Sequence, residues 1–122
     1  MRELEIRRGD VVLVPFPYVT DFTQEKTKPA LVIQNDVANR VSSTIILALI
    51  SSTRPRKRYP MHYPIQAGSL IALAAGLTMD SIVKAETIIT LPKRAILRKL
   101  GTLPREAMAE VDRALKVSLQ LA

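Results

Sequence analysis

One short stretch constrains the fold more than any other part of the chain: the apolar run Ala30–Ile33, which follows Lys28-Pro29. The run shows no alternation of polar and apolar residues, and this indicates a strand buried on both faces. Pro29 can begin such a strand, where its missing N–H is tolerated. Asn35-Asp36 supply turn residues that end it. The stretch therefore predicts a strand inside a sheet, with the cation of Lys28 at its mouth.

Two interpretations of Lys28 follow from this position. A cation at the end of a buried strand is held in place by the scaffold, as a catalytic or phosphate-binding group must be. It can equally be a lysine that only keeps the strand end hydrated, and this stretch alone favours the second interpretation.

The remaining periodicities predict a mainly β protein with one long helix. A second apolar run over residues 44–50 predicts another buried strand, which ends on Ser51-Ser52-Thr53. Shorter strands are predicted over residues 10–15, 59–65, 81–90 and 98–103, with 59–65 at a sheet edge because of its prolines. Residues 37–43 are predicted as a connection, and residues 93–97 as a short helix.

The long helix is predicted to open after Pro104 and run to about Leu121. Its apolar stripe, which we expect to pack on the sheet, consists of Met108, Val111, Leu115, Leu119 and Ala122. The pattern predicts one domain over residues 1–122, a compact, mostly antiparallel β-barrel with a C-terminal helix packed on it.

Charge and composition narrow the class of partner. The 122 residues carry 18 Lys and Arg against 11 Asp and Glu, a net charge of +7, which attracts polyanions or an acidic protein. The chain has no Cys, so a cytoplasmic location fits, and no signal peptide is visible. The longest apolar runs fall far short of the roughly 18 residues that a membrane span needs.

Familiar active-site patterns are missing from the sequence. His62 is the only histidine, no His and carboxylate cluster has metal-ligand spacing, and no Gly-rich loop offers a nucleotide cradle. We therefore predict no metal and no cofactor. What remains are polar groups at strand ends, the Lys84/Glu86 pair on one side of a strand, and a dense basic run over residues 54–58. Such groups can bind a phosphodiester and stabilise the charge that develops on it.

In their order along the chain, these motifs resemble the MazF/PemK toxins of bacterial type II toxin–antitoxin modules. The matching residues are Arg8–Val11, Lys28–Asp36, Asn39-Arg40, Ile50-Ser51, Tyr59–His62, Asp80–Val83, Glu86 and Glu110–Leu115. The resemblance implies an SH3-like antiparallel β-barrel of the CcdB/PemK type with a C-terminal helix. It also implies a cytoplasmic homodimer held by an acidic antitoxin, through which the toxin associates indirectly with DNA.

The resemblance further implies a metal-independent endoribonuclease that cuts single-stranded RNA at short sequences. Attack by the RNA's own 2′-OH leaves a 2′,3′-cyclic phosphate and a 5′-OH. The catalytic positions of the family fall on Lys28, Ser51 and Glu86, with a further cation at Lys84. The residues expected to bind RNA are Gln24, Glu25, Ser52, Thr53, Arg54, Arg56, Lys57, Arg58 and His62.

The sequence departs from the family pattern at three of these places. The family usually has Arg at position 28 and Thr at position 51, and many members have a Glu where this chain has Thr23. Lysine replaces a planar fork of donors by a single mobile charge. Two other functions on the same fold therefore stay open, a non-catalytic binding toxin of the gyrase-poison type and a catalytically weakened interaction or co-regulator module.

Overall fold

The structure of the protein is a computed structural model in which residues 5–17, 25–52 and 57–121 are described. It contains six strands, three α-helices and one 3₁₀ turn in these ranges. The strands are β1 (Asp10–Pro17), β2 (Glu25–Val32), β3 (Thr44–Ser51), β4 (His62–Ile65), β5 (Ser81–Pro92) and β6 (Arg98–Thr102). The helices are α1 (Asp36–Val41), α2 (Leu70–Ala75) and α3 (Arg105–Leu119), and the 3₁₀ turn is Lys93–Ala95.

All six strands form one antiparallel sheet in the order β4-β5-β3-β2-β1-β6. The sheet curls into a half-barrel, and the predicted mainly β class with a C-terminal helix is confirmed. In the described ranges β4 and β6 each pair with a single neighbour, so they are the two edges of the sheet. The edge position predicted for residues 59–65 is thus correct, although the strand itself is shorter.

Two apolar clusters explain why the central strands are buried on both faces. Leu31, Ala48 and Ile50 belong to the cluster that α2 and α3 cover. Their strand neighbours, such as Ala30 and Leu49, belong to a second cluster, to which β1, β2, β3 and the end of β5 contribute. Because side chains alternate between the faces of a strand, a strand between two cores shows no polar alternation.

β2 begins at Glu25, four residues before Pro29, so the predicted start at Pro29 is wrong. The Ile33 N–H bonds to the Ile46 carbonyl of β3, and by alternation the nitrogen of Pro29 also faces β3. The β2–β3 pairing ends at Ala30. Pro29 therefore ends the β2–β3 ladder, because it has no N–H to donate to β3. The strand β2 itself begins four residues earlier.

The sequence pattern did not predict two six-residue helices. α1 replaces most of the predicted connection over residues 37–43, and the Asn35 side chain caps it by accepting from the Ala38 N–H at 2.9 Å. α2 is capped by Ser69 and ends at Gly76, whose φ is +73°. The helix predicted over residues 93–97 is only the 3₁₀ turn Lys93–Ala95.

α3 forms as predicted, within two residues of the expected ends. Its buried side chains are Ala107, Met108, Val111 and Ala114, and Leu115 packs against the same cluster. The predicted stripe stops there: Leu119 is 54% exposed, and Ala122 lies outside the described residues. The helix ends where Gln120 adopts a left-handed conformation, with φ of 55°.

Candidate functional site

A groove of about 430 Å³ lies where β2 begins and β3 ends, between the segment that follows α2 and the start of β6. Its apolar lining includes Leu13 and Leu77. Its polar lining consists of three cations and five hydroxyl groups, with no carboxylate among the described residues: Lys26, Lys28, Arg98, Thr27, Ser51, Ser52, Thr78 and Ser81. A groove with this lining is electrostatically suited to an anion.

Lys28 of β2 and Ser51 of β3 both line the groove, just beyond the last pair of the β2–β3 ladder. That last pair is Ala30 with Leu49, and the same register continued for two steps would set Lys28 opposite Ser51. Ser51 is buried and Lys28 is half-buried, so the scaffold restrains both. The structure thus brings together two predicted site residues that belong to separate strands.

The register extends the same face of the sheet towards β5 and β4. Ser51 pairs with Ile82 and Leu49 pairs with Lys84, which makes Lys84 the diagonal neighbour of Ser51. Diagonal neighbours in an antiparallel pair lie about 7–8 Å apart. Lys84 in turn pairs with His62 of β4. Side chains from four strands therefore share one face.

His62 and Glu86 form a second cluster on this face. The His62 Nε2 lies 2.7 Å from Glu86 Oε2, and the two side chains are 8% and 39% exposed. The carboxylate can only accept, so Nε2 carries the proton when the imidazole is neutral. The buried Nδ1 then accepts no hydrogen bond from the described residues. Glu86, Lys84 and His62 do not line the groove itself, and their roles stay predictions.

A cleft of about 520 Å³ lies beside His62 at the β4 edge. It is lined by Arg58, Tyr59, Tyr63 and Glu110, together with His62 and two prolines. The Tyr59 ring packs edge-on against the imidazole, with centroids 5.4 Å apart. Burial, with the nearby Glu110 and Glu106 carboxylates, raises the pKa of the Tyr63 phenol. Arg58 therefore accompanies this cleft and not the Lys28 groove.

Several predicted RNA-binding residues cannot be placed. Gln24, Thr53, Arg54 and Arg56 lie outside the described residues, as does the side chain of Glu25, the first residue of β2. Ser52 lines the groove, and Lys57 is exposed. Of the predicted RNA-binding residues, the structure therefore brings Ser52 to Lys28 and Ser51 and places Arg58 and His62 at the second cleft.

Two groove cations, Lys26 and Arg98, were not predicted from the sequence. Lys26 had a usable signal, since it stands two residues before Lys28 in the same strand and side chains two apart share a face. Arg98 had none, because β6 reaches the groove only by pairing with β1, where Arg98 lies opposite Leu13.

Neither a metal site nor a membrane helix is found in the part of the chain that the structure describes. Across residues 5–17, 25–52 and 57–121 no group of three or more His, Cys, Asp and Glu side chains could hold a metal ion. None of the helices in those ranges is long and apolar enough to cross a membrane.

Comparisons with known proteins place this geometry in a family. The model of the PemK-like, MazF-like toxins of type II toxin–antitoxin systems matches residues 7–119. Endoribonuclease EndoA of Bacillus subtilis (strain 168) is 36% identical over 116 residues, which are 95% of this chain and 96% of EndoA.

Solved structures agree with this placement. An endoribonuclease from a mycobacterial species, in complex with its cognate antitoxin, superposes with a TM-score of 0.76 at 25% identity, covering 96% of this chain and 97% of that one. A MazE–MazF complex from Deinococcus radiodurans (Form-II) shares the fold, with a TM-score of 0.70 at 22% identity, covering 98% of this chain and 99% of that one. This chain therefore belongs to the PemK-like, MazF-like toxins of type II toxin–antitoxin systems.

Proposed function

We propose that the chain is an endoribonuclease toxin that cleaves single-stranded RNA at the Lys28–Ser51 groove. One observation carries this proposal: Lys28 and Ser51 lie together in a groove that has three cations and no carboxylate in its described lining. A phosphodiester gains negative charge in the transition state, and preorganised donors stabilise that charge. The similarity to EndoA supports the same activity.

The reaction that fits these groups is attack by the RNA's own 2′-oxygen on the adjacent phosphorus. The 2′-O–P bond forms as the P–O5′ bond breaks, which leaves a 2′,3′-cyclic phosphate and a 5′-OH. Lys28 stabilises the non-bridging oxygens of the phosphorane, and the Ser51 hydroxyl donates a hydrogen bond to the same group. This reaction requires no metal ion.

The reaction also removes a proton from the 2′-OH and delivers one to the 5′-oxygen. The described lining of the groove has neither an imidazole nor a carboxylate for this purpose. In this proposal Glu86 takes the proton from the 2′-OH, because it adjoins Lys84 on the face that carries Ser51, and His62 holds its carboxylate in place. Lys84 adds positive charge beside Ser51. Solvent water supplies the proton that the leaving 5′-oxygen takes up, and Glu86 returns its proton to solvent.

We further propose that the chain acts as a single cytoplasmic domain, as a homodimer, and under the control of an acidic antitoxin. The net charge of +7 and the lining of the groove suit an acidic segment that competes with RNA. Indirect association with DNA would pass through that antitoxin. Light scattering at micromolar concentration tests the dimer, and a monomer there would contradict it.

The activity is tested by incubating the purified protein with single-stranded RNA in excess EDTA. We expect cleavage with cyclic phosphate termini, and a loss on the order of a hundredfold for Lys28→Ala and Ser51→Ala. Thermal melts of the same samples control for folding. Cleavage that requires a divalent ion, or a folded Lys28→Ala variant with wild-type rates, would contradict the proposal.

A further inference from the structure

The three cations of the groove have no acidic partner among the described residues, unlike four cations elsewhere in the chain. Arg7, Arg8, Lys99 and Arg113 each form an ion pair, with Glu5, Asp112, Asp10 and Glu110 respectively. Across residues 5–17, 25–52 and 57–121, Lys26, Lys28 and Arg98 form none. Since all three line one groove, that groove holds positive charge that the described part of the chain does not neutralise and that an anionic ligand can neutralise.

Arg98 is the guanidinium of this set, and the pairing fixes its place. Leu13 of β1 pairs with Arg98 on one side and with Pro29 on the other. Two strand spacings, about 10 Å, therefore separate the backbones of Arg98 and Pro29. The Arg98 side chain is exposed at the rim of the groove.

Arg98 and Lys28 serve different parts of the same ligand. Directly opposed residues share a face, so Arg98 lies on the face of Leu13 and Pro29, whereas Lys28 lies on the opposite face with Ser51. The groove takes four consecutive residues of β2, Lys26–Pro29, and hence reaches both faces at the strand ends. The two cations therefore approach a bound RNA strand from opposite faces of the sheet, an arrangement that suits successive phosphates of one strand.

We propose that Arg98 binds a backbone phosphate that flanks the scissile one, and so positions the RNA for Lys28 and Ser51. This inference rests on the proposed function. Guanidinium is suited to the task because its planar fork donates two parallel hydrogen bonds to a phosphate, which the ammonium of Lys28 does not. The two cations divide the work: Arg98 anchors the strand, and Lys28 stabilises the transition state.

The test is a phosphate scan on RNA with a 2′-deoxy nucleotide at the scissile position, which binds without being cleaved. Single phosphates are replaced by uncharged methylphosphonates, and affinity is measured for wild type and Arg98→Ala. We expect Arg98→Ala to weaken binding on the order of tenfold, and to lower the log–log salt slope by about 0.7. At one flanking phosphate, the methylphosphonate should weaken RNA binding by wild type but should not weaken binding by Arg98→Ala any further.

Two further variants sharpen the assignment. Arg98→Lys keeps the charge but loses the planar fork of donors, so its affinity for RNA should lie between those of wild type and Arg98→Ala. Arg94→Ala removes an equal charge from the exposed 3₁₀ turn just before β6, outside the groove, and should keep the wild-type salt slope.

Three results would overturn the inference. The first is that Arg98→Ala binds RNA as tightly as wild type. The second is that methylphosphonates at all positions weaken the binding of wild type and Arg98→Ala equally. The third is that the effect of Arg98→Ala is coupled to the methylphosphonate at the scissile phosphate and not to one at a flanking phosphate. The outcome is separable from that of the proposed function, because binding is measured on uncleavable RNA. If Arg98→Ala binds normally while Lys28→Ala abolishes cleavage, only the role of Arg98 fails. If wild type binds with coupling at Arg98 but does not cleave normal RNA, only the catalytic proposal fails.

Discussion

At the scale of single residues, the proposed mechanism makes the activity of this toxin depend on how well a lysine replaces the arginine usual in its family. Lys28 lies with Ser51 in a groove where Arg98 supplies a cation of a different kind. The ammonium stabilises charge without the bidentate geometry of a guanidinium. The residue is therefore suited to electrostatic stabilisation more than to orienting the phosphate.

Lys28→Arg should retain cleavage and can raise it, because the fork matches a phosphate better than a point charge does. Ser51→Thr should also be tolerated, since it keeps the hydroxyl. Single-turnover cleavage of one RNA by both variants measures this. An inactive wild type that gains cleavage on Lys28→Arg would make the natural chain a weakened toxin, whereas inactivation by Lys28→Arg would show that the ammonium itself is required.

Protonation of the Asp36 carboxylate should lower the stability of the protein in acid. Its carboxylate accepts from the Arg8 backbone N–H at 2.7 Å and from the Asn39 amide at 3.1 Å, and these bonds lower its pKa. A lowered pKa in the folded state stabilises the fold above the unfolded value, about 3.9, and this contribution is lost as pH falls through the folded pKa. Urea unfolding between pH 6 and pH 2.5 should show a flatter acid limb for Asp36→Asn. An equally steep limb would exclude Asp36 as a contributor.

The local sequence pattern is enough to predict the site residues that lie at strand ends. It does not predict the site residues that reach the groove only through the pairing of distant strands. The polar ends of two apolar runs point to Lys28 and Ser51, and the family resemblance gives them roles. Arg98 could not be found in this way, because its proximity to Lys28 depends on the β1–β6 pairing of residues far apart in sequence.

At the scale of elements, the strands were predictable and the short helices were not. β3 and α3 carry long apolar signals, and both form within two residues of their expected bounds. α1 and α2 have six residues each, fewer than two full turns, so they show no helical period. Their capping residues, Asn35 and Ser69, were the available signal.

α2 is held against β6 at van der Waals distance through Gly101. A Cβ at that position would lie 2.3 Å from the Ala74 carbonyl oxygen and 2.6 Å from the Ala75 carbonyl carbon. Gly101→Ala should therefore push α2 outward and destabilise the fold by about 1–3 kcal/mol. It should also slow cleavage, because Leu77–Met79, which line the groove, directly follow α2.

Thermal melts and cleavage rates of Gly101→Ala measure both effects. Gly68→Ala is the control: its Cβ would meet nothing within 4 Å, and only the local cost of its φ of +79° remains. That variant should lose some stability but keep the wild-type cleavage rate. If Gly101→Ala melts and cleaves as wild type does, α2 does not depend on this contact.

At the scale of the whole molecule, the net charge of +7 should make RNA binding steeply salt-dependent. The basic run Arg54, Arg56, Lys57 and Arg58 is expected to carry part of this dependence, and Arg58 lines the cleft beside His62. Each true phosphate contact that is neutralised should lower the log–log salt slope by about 0.7. An unchanged slope after neutralising all four would identify the run as a solvated turn.

The two edges of the sheet limit how any partner can bind. β4 has four residues, and since the Met61 carbonyl accepts from the Ala85 N–H, Pro64 faces away from β5 and offers no donor at the outer edge. β6 has five residues, and a register shift against β1 interrupts its pairing. In β-augmentation a peptide adds a strand to a sheet edge through main-chain hydrogen bonds. Neither of these two edge strands is well suited to it. We therefore expect an antitoxin of this toxin to recognise its side chains, so that the specificity of the pair depends on the two amino-acid sequences.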